Sequence, residues 1–255
     1  LAVVVSLDLS TAEAPDALPA VSEARFPVIH EDDRSKLTFI VSAGVGLYSD
    51  FNPWFGQAEL FNEFSPIAGN LPGDQTAWTE AYVEFGLGGV TRVAESDFYV
   101  YGGASGLFSM SRGQDIYTDD DRNKLHPDKG YVGLLYADQA TGNTAQFSLG
   151  RQTYTLNNGF LISMISGNSN AGERGATYLG PRNTTDFSAL LNGEVGRFRY
   201  AMFYLDPDEL EDLESNTKFA GVNLGYAFTD ALSIDASVIT IPNSDSTYRT
   251  PTGAS

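Results

Sequence analysis

The sequence predicts an all-β chain, the wall of a transmembrane antiparallel up-and-down β-barrel, on three observations. Segments of about 9 to 13 residues alternate apolar and polar side chains with period two, the pattern of strands whose two faces meet different surroundings. The connections between them are short and long in strict turn, as expected where one end of a barrel carries tight turns and the other carries long loops. No stretch approaches the roughly 18 consecutive apolar residues of a spanning helix, so a chain of this kind that crosses a membrane does so as strands.

Composition points the same way. The 255 residues include 16 Phe, 13 Tyr and 2 Trp, with 26 Gly where average usage would give about 18. That mixture favours strands and tight turns over helices. Asp and Glu number 33 against 15 Lys and Arg, a net charge of −18. A surface this acidic repels phosphate backbones, and no basic stripe offsets it, which excludes most nucleic-acid partners. Cysteine is absent, which removes disulfides, thiol catalysis and Cys-ligated metals. Only His30 and His126 remain for His-rich metal centres or His-based triads. No cofactor and no metal is implied.

Taken in order, residues 1–14 read as the tail of a secretory signal, with Ala12 and Ala14 in the small-x-small cleavage pattern, or as an extended N-terminal strand. Residues 15–36, with Pro15, Pro19, Pro27 and the charged run Glu31 to Arg34, read as an irregular lead-in. The barrel is expected over 37–255. Its first strand sets Leu37, Phe39, Val41, Ala43, Val45 and Leu47 on one face; the second sets Thr79, Ala81, Val83, Phe85 and Leu87 opposite Glu80, Tyr82 and Glu84. Two carboxylates on one strand face must look into water. Further strands are expected at about 97–110, 129–138 and 145–155, then two around the turn 192–196 and two around the turn 229–230. The short connections are 89–96, 139–144, 192–196 and 229–230; the long ones are 49–76, 111–128, 156–183 and 206–216. Trp78, Tyr82, Tyr131, Phe198, Tyr204 and Phe228 lie near strand ends, where interfacial aromatic girdles belong. Greek-key connections do not demand strict alternation of loop length, so a soluble sandwich is the weaker alternative.

The run Phe147 to Phe160, FSLGRQTYTLNNGF, resembles the segment that enters the long third loop of the substrate-selective porins of Gram-negative bacteria and of the related alginate-export barrels. The resemblance implies an outer-membrane barrel of 16 or 18 strands whose third loop folds inward and narrows the pore. Nine strands are too few and odd in number, whereas bacterial single-chain barrels are even. The expectation is therefore that these residues form about half of a longer barrel, unless Ala24 to Ile29 or Phe160 to Ile165 adds a strand.

With the apolar faces toward lipid, the lumen is expected to be lined by Glu80, Tyr82, Glu84, Gln146, Ser148, Gln152, Arg199, Asn223, Asp235 and Ser237. Polar lumen groups set charge selectivity and offer transient hydrogen bonds to a solute. In the long loop 156–183, Asn157-Asn158-Gly159 can turn the chain inward and Phe160 to Ile165 offers an apolar anchor. The stretch Gly167 to Gly175 is small and polar enough for a constriction. Glu173 and Arg174 are expected near its opening, with Arg151 and Arg182 at its base, giving a transverse field across the pore. The acidic loops at Asp115 and Asp119 to Asp121, and at Asp206 to Glu214, read as solvated tips, able to meet anionic lipopolysaccharide through divalent ions.

Enzyme chemistry is not expected. Neither histidine has a partner serine at a strand end, and Glu80 and Glu84 are about 13 Å apart by strand rise, too far for a glycosidase pair. The sequence thus reads as a channel for small hydrophilic solutes in a bacterial outer membrane, as a monomer or homotrimer. The alternatives are a plugged structural or adhesive barrel and a soluble carbohydrate-binding sandwich.

Overall fold

The computed structural model describes residues 3–7, 26–64, 71–73, 75–117, 121–157, 159–163, 166, 174–210, 214–229 and 232–246. Eleven strands are formed among them: β1 (Val3–Leu7), β2 (Phe26–Glu31), β3 (Ser35–Phe51), β4 (Gln75–Arg92), β5 (Phe98–Gln114), β6 (Arg122–Ala137), β7 (Thr144–Arg151), β8 (Thr185–Val195), β9 (Phe198–Pro207), β10 (Lys218–Thr229) and β11 (Leu232–Asn243). All belong to one sheet, and from β3 to β11 each strand pairs with the next. Every pairing is antiparallel. This is up-and-down topology. A sandwich needs two facing sheets, and the described residues supply one.

The connections sort by end. By topology, the connections after β2, β4, β6, β8 and β10 fall at one end of the sheet and those after β3, β5, β7 and β9 at the other. At the long-loop end a 3₁₀ turn (Pro53–Gly56) and a short helix α1 (Ala58–Phe64) interrupt the first connection. Turn chemistry fixes the opposite end: the Asp138 carboxylate accepts from the backbone N–H of Ala140 (2.9 Å) and the Thr141 hydroxyl (2.5 Å). That is an Asx turn joining β6 to β7.

Register explains why period two was legible. One row runs Val100, Leu134, Phe147, Leu191, Met202, Val222 and Val238 across seven strands, from β5 to β11. Six of these seven are among the exposed large hydrophobics, as are Val41, Val45, Val83, Phe85 and Leu87 on β3 and β4. A continuous apolar face of this extent is stable against hydrocarbon, not against water. The row on the other face through Gln146, Asn192, Ala201, Asn223 and Ser237 is polar or small.

The structure settles the alternatives left open at the N-terminus: the extended strand within 1–14 is formed as β1, residues 3–7 against Ala43 to Leu47 of β3, and the strand offered at Ala24 to Ile29 is formed as β2, residues 26–31 against Lys36 to Phe39. Other positions differ from the sequence reading. The loop expected over 111–128 shrinks to 115–121, because β5 continues to Gln114 and β6 starts at Arg122. Its inward positions Ser109, Ser111, Lys124 and Arg122 are polar yet paired strand to strand, so polarity there marks an interior rather than a loop. Phe160 to Ser163 form no strand. Of the expected girdle, Trp78 and Tyr131 face inward, as does Tyr82, which the lumen reading also claimed; Trp78 and Tyr82 share the strand face of Glu80 and Glu84. The aromatic band at the short-turn end is built outward from Phe98 on Tyr136 (5.1 Å) and from Phe198, Tyr226 and Phe228 (4.8 and 4.9 Å).

Candidate functional site

The site is the loop 152–184 and the inner face that it covers. The loop departs from β7 where Gly150, at φ +123°, lies against the Gly130 carbonyl of β6, too close for any side chain. Gln152 continues the path, bridging Ser148 and Ser188 at 3.0 Å each, while its carbonyl accepts from the backbone and hydroxyl of Thr185. The inward turn expected at Asn157 is formed. Asn157 takes a left-handed φ of 51°, and the Gly159 amide closes on Leu156 at 2.9 Å.

Two anchors of different chemistry then hold the loop. The first is apolar: Tyr154, Leu156 and Ile162 pack on Leu190 of β8 and on Phe203 and Leu205 of β9, with Phe219 and Ile239 alongside. Among the described residues of the expected anchor, Ile162 is buried while Phe160 and Leu161 are exposed; Met164 and Ile165 lie outside the described residues. The second anchor is polar and reaches the far side of the sheet. Glu80 of β4 is wholly buried and accepts the backbone N–H groups of Tyr178 and Leu179, both at 2.9 Å, and the Ser111 hydroxyl at 3.2 Å. Arg182, also wholly buried, donates to Ser109 of β5 (3.0 Å) and to the Gly175 carbonyl (2.8 Å). Thr184 reaches Asp128 of β6 at 3.4 Å. Gly175 lies directly on the backbone of Met110, where a Cβ would meet Cα and C at 2.5 Å. One loop therefore touches β4–β6 and β8–β9 from the same face, so the sheet wraps around it.

A third contact ties this loop to its neighbour. Asp208, just beyond β9, receives Arg174 through two guanidinium nitrogens (3.0 and 2.8 Å), Arg151 (2.8 Å) and the Ser166 hydroxyl (3.0 Å). Arg151 also donates to the Asp128 carbonyl and pairs with Asp186. Burial pushes the Asp208 carboxyl up, but Arg151 and Arg174 outweigh it and hold the group below its ordinary range. Burial, and then Arg174, bring Arg182 down to about 10. Arg182 therefore stays charged at neutral pH.

These positions revise the expected site. Arg174, Arg182 and Arg151 do meet at the loop, but as ties with named partners: Arg174 and Arg151 on Asp208, and Arg182 on Ser109 and Gly175. Glu173 lies outside the described residues. Glu80 does not look into open lumen, because the loop covers it. Glu84 is mostly buried, bonded to Lys129 (2.5 Å) and Ser105 (2.7 Å). Ser148, Gln152 and Asn223 are buried as well. Asn223 exchanges hydrogen bonds with the Asn157 amide (3.3 and 3.2 Å) and accepts from Ser237 (2.8 Å). Tyr82 and Gln146 are half-buried on the inward face, and Arg199 pairs with Asp235 at 3.1 Å. Asp208, Asp128, Ser109 and Ser111 had no sequence signal. Asp208 sat within an acidic run that reads as solvated, and its partners lie 34 and 57 residues away in sequence.

No family model matches the sequence, and no curated protein matches it. Among solved structures, a chain described as copper transporter OprC superposes with a TM-score of 0.43 at 13% identity, over 83% of this chain and 35% of that one. The chain thus spans about a third of that protein's length. Among the described residues, no group of three His, Asp or Glu side chains is placed to hold a metal ion.

Proposed function

We propose that this chain forms wall and constriction of an outer-membrane channel for small hydrophilic solutes, with no chemical step of its own. The observation that carries this is the doubly anchored loop 152–184. Its described residues, 152–157, 159–163, 166 and 174–184, pack on the inner face of a sheet whose outer face is apolar. Loop folding inward rather than outward is what distinguishes a constriction from an extracellular decoration.

The charge pattern refines the expected mechanism. The ion pairs of Arg174 and Arg151 on Asp208 tie the loop to the end of β7 and to the segment after β9, so charges there act on a solute as a fixed dipolar lining. The acidic loop tips add less, because a charge more than a Debye length away, about 8 Å at physiological salt, is largely screened. Outer-membrane lipid and lipopolysaccharide surround the belt; the protein acts as a monomer or homotrimer.

One observation favours a second reading. The contact between loop and wall is fully buried, at Glu80 and Ser109 on the wall and at Arg182 and Thr184 on the loop, which is also how a plug packs. Reconstitution of the full-length product into planar bilayers separates the two. Discrete conductance steps support the channel, and a folded but silent protein supports the plug.

A further inference from the structure

One rung of the inner wall, on the short-turn side of the loop, is paired along only part of its length. It crosses from Gln146 of β7 through Asn192 of β8, Ala201 of β9 and Asn223 of β10 to Ser237 of β11. The rung next to it on the loop side carries Leu190 and Phe203, on which the apolar anchor of the loop packs. A solute that has cleared the loop therefore meets this rung next.

On the β10 side its polar groups are matched. The Asn223 and Asn157 carboxamides form a reciprocal pair, each donating to the oxygen of the other at 3.2 and 3.3 Å, and the Ser237 hydroxyl donates to the same Asn223 oxygen at 2.8 Å. On the β7–β8 side the same side-chain chemistry has no counterpart. Gln146 and Asn192 stand directly opposite one another, both half-buried, and neither carboxamide has a hydrogen-bond partner among the described residues. The Asn192 side-chain oxygen is moreover shielded from bulk water. A shielded acceptor without a donor is a loss to the fold, and native interiors keep few of them. The surrounding wall does pair its polar groups: Gln152 bridges Ser148 and Ser188, Glu84 holds Lys129, and Arg199 holds Asp235.

Chemistry and charge together select a ligand. Two carboxamides on adjacent strands, with backbones about 4.8 Å apart, set amino donors beside carbonyl acceptors. A group that carries both a donor and an acceptor satisfies them, whereas a group with acceptors alone does not. Ala201, next along the rung, projects only a methyl group beside Asn192. Glu194 lies two residues along the same face of β8 and is exposed, while Arg199 opposite it is already paired with Asp235, so the surroundings disfavour an anion. We propose that Gln146 and Asn192 form a subsite for uncharged carboxamide groups on the short-turn side of the loop, received as Asn223 receives Asn157. The subsite rests on the channel reading for its place on a solute path, though not for its detection.

Saturation-transfer NMR on the detergent-solubilised full-length protein tests it with planar isosteres. Acetamide carries a donor and an acceptor, acetone an acceptor alone, and acetate acceptors with a charge. Saturable transfer to the acetamide methyl group is expected, with neither acetone nor acetate competing. Asn192→Leu keeps the volume and removes one carboxamide, so it should weaken acetamide binding by about tenfold, as loss of a donor and an acceptor bond would. If that variant fails to fold, Gln146→Leu makes the same comparison from the facing strand. Equal binding of acetone, preference for acetate, unchanged affinity in the variants, or no transfer in the wild type would each overturn the proposal. Uptake of erythritol by proteoliposomes separates it from the channel reading. A protein that passes erythritol but does not bind acetamide refutes the subsite and leaves the channel; one that binds acetamide yet passes no erythritol does the reverse.

Discussion

Glu80→Leu isolates the polar anchor of the inward loop. In the native chain one carboxylate takes the amides of Tyr178 and Leu179 and the hydroxyl of Ser111, at a wholly buried position. Leucine keeps the volume and leaves both amides without an acceptor. An unsatisfied buried donor costs about 1 to 3 kcal/mol, so two cost about 2 to 6 kcal/mol. At about 1.4 kcal/mol per factor of ten, the released form of the loop gains about 30-fold to about 20,000-fold in population. Water reaching the freed amides sets the lower end. Glu80→Gln keeps an oxygen acceptor and loses only the charge assistance, about 1 kcal/mol per bond, so its effect must be smaller. Hydrogen exchange by mass spectrometry reads the loop directly. Protection at Tyr178 and Leu179 should fall steeply in Glu80→Leu and modestly in Glu80→Gln, while β8 and β9 keep theirs. Equal protection in all three proteins would refute the anchor.

Asp208→Asn should free the loop from its neighbour, because it removes the carboxylate that Arg174 and Arg151 share, Arg151 keeping Asp186, a loss on the order of 3 to 5 kcal/mol for a broken buried pair; faster proteolysis within 163–175 checks it. The same clip gives a pH dependence with a defined sign. A carboxyl held below its ordinary value of 3.8 contributes stability that is complete above that value and lost as pH falls through the lower folded value. Protection beside the residues that Asp208 holds, Ser166 and Arg174, should therefore stay level as pH falls to 3.8 and fail below, and an Asp208→Asn variant that keeps the same acid transition there would contradict it. Gly175→Ala places a methyl 2.5 Å from the Met110 backbone, which cannot yield. It should displace the loop from β5 while leaving the sheet intact, seen as lost protection at Ala176 with unchanged far-ultraviolet circular dichroism.

Much of this architecture was legible because it rests on local regularities. Strand faces follow from period two, and the order of short and long connections follows from up-and-down topology, so Val83 and Phe85 could be placed on an apolar face without a structure. The turn at Asn157 was legible for a similar reason, since Asn and Gly tolerate left-handed backbone. The chemistry of the loop was not. Glu80 reads as a water-facing carboxylate because its partners are main-chain amides 98 and 99 residues later, and backbone donors leave no mark in a sequence. Asp208 was hidden by its acidic neighbours, and Arg182 looked like a pore charge because burial is invisible in residue type. The strand ends at Gln114 and Arg122 were obscured for the converse reason, because inward positions beneath a polar loop are themselves polar.

The central claim is that loop 152–184 narrows a conducting lumen. Its most direct test is single-channel conductance of the full-length protein in planar bilayers, with and without residues 160–175. Discrete steps that grow on deletion are predicted. Steps of unchanged size would place the loop outside the conducting path, and silence in both proteins would contradict the channel itself.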